Sequence, residues 1–191
     1  MLGAHLRFLG VQAMSALIAR IALLCALRLG PQHLPHSTGA LAMLLLGLFG
    51  LQFVAAQLLG GNELLLPRLL FSIACLLLPV WALLRLVKLP ERFVQTATAF
   101  AGTGVLFTVA LLPAVALLGE PELAKAAPQD VTAAQALIAF TALGLTLWKL
   151  MVDAHIWRNA LEWPPLAAFI LSLALFFAEV ALATQLFGRT Q

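Results

Sequence analysis

Tyrosine is absent from this 191-residue chain, cysteine occurs twice, and charged side chains make up 10% of it. Each shortage excludes something. A soluble domain carries about a quarter of its residues as Asp, Glu, Lys and Arg, so this chain is not built to face water on all sides. Cys25 and Cys75 lie inside apolar runs at a spacing that matches neither a zinc site nor a thioredoxin motif. They read as reduced packing residues. With no tyrosine, any interfacial aromatic belt falls to Trp81, Trp148, Trp157 and Trp163. No HExxH, GxSxG, Walker or paired-carboxylate pattern is present, and serine and histidine are scarce in the apolar runs. These absences argue against an enzyme, and no cofactor or metal is called for. His33 and His36, three apart in a proline-bounded linker, lack the further ligands a tight metal site needs.

What is abundant is apolar sequence, 63% of the chain, gathered into five long stretches at 38–58, 65–87, 94–118, 133–156 and 166–187. A helix rising 1.5 Å per residue crosses a hydrocarbon core about 30 Å thick in about 20 residues. The expected fold is therefore all-α: one integral membrane domain over 1–191, a polytopic bundle of five transmembrane helices. Residues 10–29 form a sixth helix whose Leu17, Ile21, Leu24 and Leu27 recur at helical spacing. A span there would hold Arg20 near the bilayer centre, at a cost of at least about 2.5 kcal/mol. An interfacial or shallow re-entrant helix avoids it. Gly30-Pro31 is expected to end this helix, and Ser37 or Thr38 to cap the next. Met1–Gly10 does not read as a cleaved signal peptide.

The net charge of +3 is spread along the chain, which points to phospholipid contacts and topology signals instead of nucleic acid. Arg7, Arg20 and Arg28 precede the first span. Arg85, Lys88 and Arg92 cluster between spans two and three, and Lys149 and Arg158 lie toward the turn between spans four and five. Placing these regions in the cytoplasm puts the N-terminus inside, and the acidic 119–132 loop, the Gly60–Glu63 turn and the C-terminus outside.

Few polar groups fall within the spans, and these are the candidate functional residues. Glu179 stands in the fifth span, and its expected partner is Arg68, near the outer end of the second. It reads either as a proton-linked or substrate-binding carboxylate, or as a structural acid. Lys149 and Asp153, four apart, share a helix face and pair. With His155, and with Arg158 continuing the same side, they form either a cytoplasmic-side site for a lipid headgroup or partner, or the end of a span emerging into water. The stretch QTATAFAGTG offers a small-residue face, Ala97, Thr98, Ala101 and Gly102, on which another helix can pack closely. That face marks the third span as central, with its partner inside the monomer or on a second copy. Pro79 and Pro113 should kink their helices.

The order of five spans after a cytoplasmic helix, with ERFVQTATAFAGTG opening a small, threonine-rich third span, resembles the bacterial members of the Yip1 family. LRLGPQHLPHS and HIWRNALE also resemble recurring stretches of small bacterial inner-membrane proteins of that kind. The resemblance implies a multi-pass inner-membrane adaptor or organiser, with no catalytic residues to carry over. The family's soluble N-terminal region in eukaryotes has no counterpart here, so trafficking partners are not implied. The chain thus reads as a non-enzymatic adaptor, assembly factor or lipid-interacting protein. A small transporter or permease subunit using Glu179 is the alternative. The phospholipid bilayer is its expected partner, with a second membrane protein or a homo-oligomer also compatible.

Overall fold

The computed structural model describes residues 2–58, 64–118 and 132–188, with side chains absent from the description at 2–11, 13 and 118. Helix α1 covers Leu2–Cys25, α2 Thr38–Leu58, α3 Leu65–Leu86, α4 Phe93–Leu118, α5 Ala133–Leu161 and α6 Pro165–Phe187. Single 3-10 turns at Pro31–His33 and Pro90–Arg92 lead into α2 and α4. No strand occurs among the described residues. Helices α2 to α6 are each long and apolar enough to cross a bilayer, and the chain is an integral membrane protein. The Gly60–Glu63 turn and residues 119–131 of the acidic loop lie outside the described residues.

Helix α4 is the hub, packed against α1, α2, α3 and α5, while α6 packs chiefly on α5. The composition of α4 explains its place. Thr96, Ala97, Thr98, Ala99, Ala101 and Thr103 are all at or near zero exposure, because small side chains let neighbouring backbones approach closely. The expected face of Ala97, Thr98, Ala101 and Gly102 is buried as a unit. Its occupant is within the monomer: Ile21 of α1 lies directly over Gly102. On the α2 side, Gly104 faces Leu48.

Helix α1 buries Leu17, Ile21 and Leu24, and leaves Met14, Ile18 and Leu23 exposed. Three ties fix its end. Trp148 Nε1 donates to the Cys25 carbonyl at 3.1 Å, Arg20 donates to the His33 carbonyl at 2.9 Å, and His155 Nε2 lies 3.0 Å from the Leu29 carbonyl. The helix does not end at Gly30-Pro31. It stops at Cys25, and Leu27 takes the left-handed conformation at φ 60°. Leu27 N–H then donates to Leu24 and Arg28 N–H to Leu23, a Schellman closure with leucine where glycine is usual. Gly30 is extended instead, leading the chain into the Pro31–His33 turn. The cap on α2 comes from Ser37, whose Oγ accepts from Ala40 N–H at 3.2 Å.

The fourth span is longer than expected. Helix α5 runs five residues past the end of its apolar run at Ile156, through Trp157–Leu161, before Glu162 closes it in the left-handed region at φ 57°. Its N-terminus carries a full capping box between Thr132 and Gln135. Trp157 is not part of an interfacial belt. It is 3% exposed, with its ring 4.9 Å from that of Phe100 inside the bundle. Trp81, Trp148 and Trp163 do face outward.

Candidate functional site: a central cavity among the helices

A cavity of about 450 Å³ lies between α2, α3, α4, α5 and α6. Its walls are mostly apolar, and Phe100, Phe107, Trp157 and Phe176 supply much of them. Small residues on α4 and α6, Gly104 and Ser172 among them, leave the space open. This volume falls in the range of small-molecule sites, which are mostly apolar with a few placed polar groups.

Lys149 and Asp153 form one side of the polar set. Both Asp153 carboxylate oxygens accept from Lys149 Nζ at 2.5 Å, with the side chains 25% and 18% exposed. The expected pairing is therefore present. Lys149 sits about 18 Å along α5 from Leu161, within the cavity wall and with its ammonium 6.0 Å from the Phe100 ring centre. Lysine there needs its acid: α5 turns both toward the cavity, and leaving either charge alone in low dielectric would be costly.

Glu179 enters from α6, about 12 Å from Phe187. It borders the central cavity and also a second one of about 440 Å³, which it shares with Arg68, Phe71, Ser72 and Phe187. The expected Glu179–Arg68 ion pair does not form among the described residues. Arg68 instead places its guanidinium 5.6 Å from the Phe187 ring centre, a cation–π contact. Lys149 and Asp153 line the central cavity together with Glu179. Because those two cancel, Glu179 sets the cavity's net charge when ionised. Gln52 reaches from α2 to α3, donating to Ser72 Oγ at 3.2 Å, while its Oε1 is buried with no partner. Sequence reasoning missed Gln52 and Ser72, because a lone amide and a lone hydroxyl in apolar runs read as packing.

The remaining candidates stand elsewhere. His155 turns to the linker, at the Leu29 carbonyl, and Asn159 Nδ2 donates to its backbone carbonyl at 2.7 Å. Arg158 does not continue the Lys149 side. Nine residues make about two and a half helical turns, so Arg158 faces the opposite way and opens onto a separate pocket at the α5 C-terminus. Arg92, from the turn before α4, donates to the Ala160 carbonyl at 3.2 Å and to Glu162 at 2.5 Å. His33 lies 3.3 Å from the Gly30 carbonyl, and His36 Nε2 lies 3.2 Å from the Glu91 carbonyl. The His36 contact ties the linker to the turn before α4. Comparison of the chain with protein-family models, with curated proteins and with solved structures finds no match in any of the three.

Proposed function

We propose that this is a non-enzymatic protein of a bacterial inner membrane that holds an amphipathic molecule of the bilayer in its central cavity. On this reading α1 lies at or dips into the cytoplasmic face, the N-terminus is cytoplasmic and the C-terminus periplasmic. The same reading accommodates membership of the Yip1-like family, as an organiser that works by retaining lipid. The observation that carries it is the cavity itself: apolar walls for a hydrocarbon chain, and Lys149, Asp153 and Glu179 among them for a polar head. Gln52 Oε1, buried without a partner on the same wall, is a ready contact for a ligand donor, since buried polar atoms are ordinarily satisfied.

The test is occupancy. The wild-type protein, purified in mild detergent, should retain bilayer lipid detectable by native mass spectrometry and lose thermal stability on delipidation. Thr108→Trp fills the cavity from the α4 wall without touching a charge, and should abolish both effects while helix content stays the same. Retention of lipid by Thr108→Trp equal to wild type would overturn the reading.

A transporter is the second reading, favoured by one observation: Glu179 borders both cavities and so stands between them. In proteoliposomes loaded with a pH-sensitive dye, the retention reading expects no proton flux that depends on Glu179. A flux abolished by Glu179→Gln, with folding intact, would replace it with the transporter.

A further inference from the structure

At the end of the bundle where α5 closes, a pocket of about 490 Å³ opens between the 30–37 linker, the start of α4 and the α5–α6 turn. It is separate from the central cavity and differs in character. Arg92, Arg158, Gln95, Thr96, Glu162 and Trp163 line it. Formal charge there is positive, with two guanidinium groups against one carboxylate. Arg158 is exposed and forms no ion pair among the described residues. Arg92 uses two of its nitrogens on Ala160 and Glu162, and a guanidinium has five N–H donors in all. Gln95 holds the linker in place as one wall, donating to the Gln32 and Leu34 carbonyls at 3.4 and 3.0 Å. The start of α4 adds the positive partial charge of a helix N-terminus.

Thr96 is the residue that turns these features into a site. It is 1% exposed, and its Oγ1 is buried with no hydrogen-bond partner. The other two buried threonines of α4 behave differently. Thr98 donates to the Val94 carbonyl at 2.6 Å and Thr103 to the Phe100 carbonyl at 3.2 Å, which satisfies each hydroxyl within the helix. Thr96 lines the pocket instead and keeps its hydroxyl unspent. An orphaned buried hydroxyl on a residue of the wall that two arginines also line suits an acceptor with several oxygens.

We propose that this pocket is an anion site for a phosphate group, bound by the Arg158 and Arg92 guanidinium groups and the Thr96 hydroxyl. The phosphate is carried either by a phospholipid headgroup or by a molecule in solution, since both present the same oxygens. Glu162 competes for Arg92 and acts as the site's internal counter-ion. Trp163 borders the pocket and gives it an optical reporter.

The experiment uses the full chain in two settings. In phosphate-free detergent micelles, inorganic phosphate is titrated while tryptophan emission and thermal unfolding are followed. In nanodiscs, phosphatidic acid diluted in phosphatidylcholine is compared with phosphatidylcholine alone. Binding in either setting supports the site: phosphate alone identifies a soluble source, phosphatidic acid alone a lipid headgroup, and both the shared chemistry. Arg158→Gln should weaken binding about tenfold, the factor that 1.4 kcal/mol represents. Glu162→Gln should tighten it by freeing Arg92. Thr96→Val should also weaken binding, yet leave the ligand-free protein as stable as wild type or more so, because it removes an unpaired buried hydroxyl. No response in both settings, or binding by Arg158→Gln and Thr96→Val equal to wild type, would overturn the proposal.

Discussion

Gly102→Leu is the substitution that most directly interrogates the packing of α1 on α4. A Cβ at position 102 would lie 2.6 Å from Ile21 Cδ1, 3.0 Å from Cγ1 and 3.3 Å from Cγ2. Three atoms of one side chain are too near, so a rotation of the Ile21 tip does not relieve the clash. The β-branched isoleucine has little rotamer freedom in a helix, and it is 3% exposed, with Leu17 and Leu24 buried beside it. Overfilling such a contact costs about 1–3 kcal/mol, and the full leucine side chain places the expectation toward the upper end. Ile21→Ala alone should cost about 2–5 kcal/mol by opening a void on the same spot. Combined, the two changes should compensate, with a coupling of about 0.5–3 kcal/mol. Thermal unfolding of the four purified proteins in one detergent measures the cycle. Because α1 fills the face from within the monomer, the oligomeric state should be the same in all four. Strictly additive losses, or a Gly102→Leu protein as stable as wild type, would refute the contact as described.

Two further outcomes follow from the charges. Lys149→Met leaves Asp153 with no counter-ion inside the bundle and should destabilise by about 3–5 kcal/mol, whereas Lys149→Met with Asp153→Leu should recover most of that loss; a neutral Lys149→Met in thermal unfolding would mean that water already solvates the pair. For orientation, single cysteines at 90 and 126 in a background without Cys25 and Cys75 should differ in intact cells, with 126 labelled by an impermeant thiol reagent and 90 protected; labelling at 90 alone would invert the topology.

How much of this was legible in the sequence depended on whether the signal was local. The five spans follow from unbroken apolar runs, and α2 begins and ends at residues 38 and 58 as its run does. The small face of α4 was readable from i,i+4 spacing, but its occupant was not, because nothing in Gly102 names Ile21. The Lys149–Asp153 pair was readable from its spacing. That α5 continues past Ile156 to Leu161 was not, because Arg158 and Asn159 follow directly on the apolar run. The helix carries both residues on until Glu162 closes it. Helix α1 ends at Cys25 with Leu27 left-handed, and not at Gly30, and the early turn carries Leu29 to His155, a long-range contact that no local signal announces. Thr96 was invisible as a binding group, since a threonine among small residues reads as packing until its neighbours' hydroxyls are traced.

The lodging of Ile21 against Gly102 also sets an order of events during synthesis. About eighty residues of chain separate the two, so at roughly 5–20 residues per second α1 leaves the ribosome several seconds before the helix that covers it. In that interval Leu17, Ile21 and Leu24 have no protein to cover them. They must shelter in lipid, in the insertion machinery or against a chaperone, and α1 reaches its final seat only after α4 has entered the membrane. Helix α1, made before α4, is thus locked only after α4 arrives, and a chain stalled before α4 would leave its apolar face uncovered.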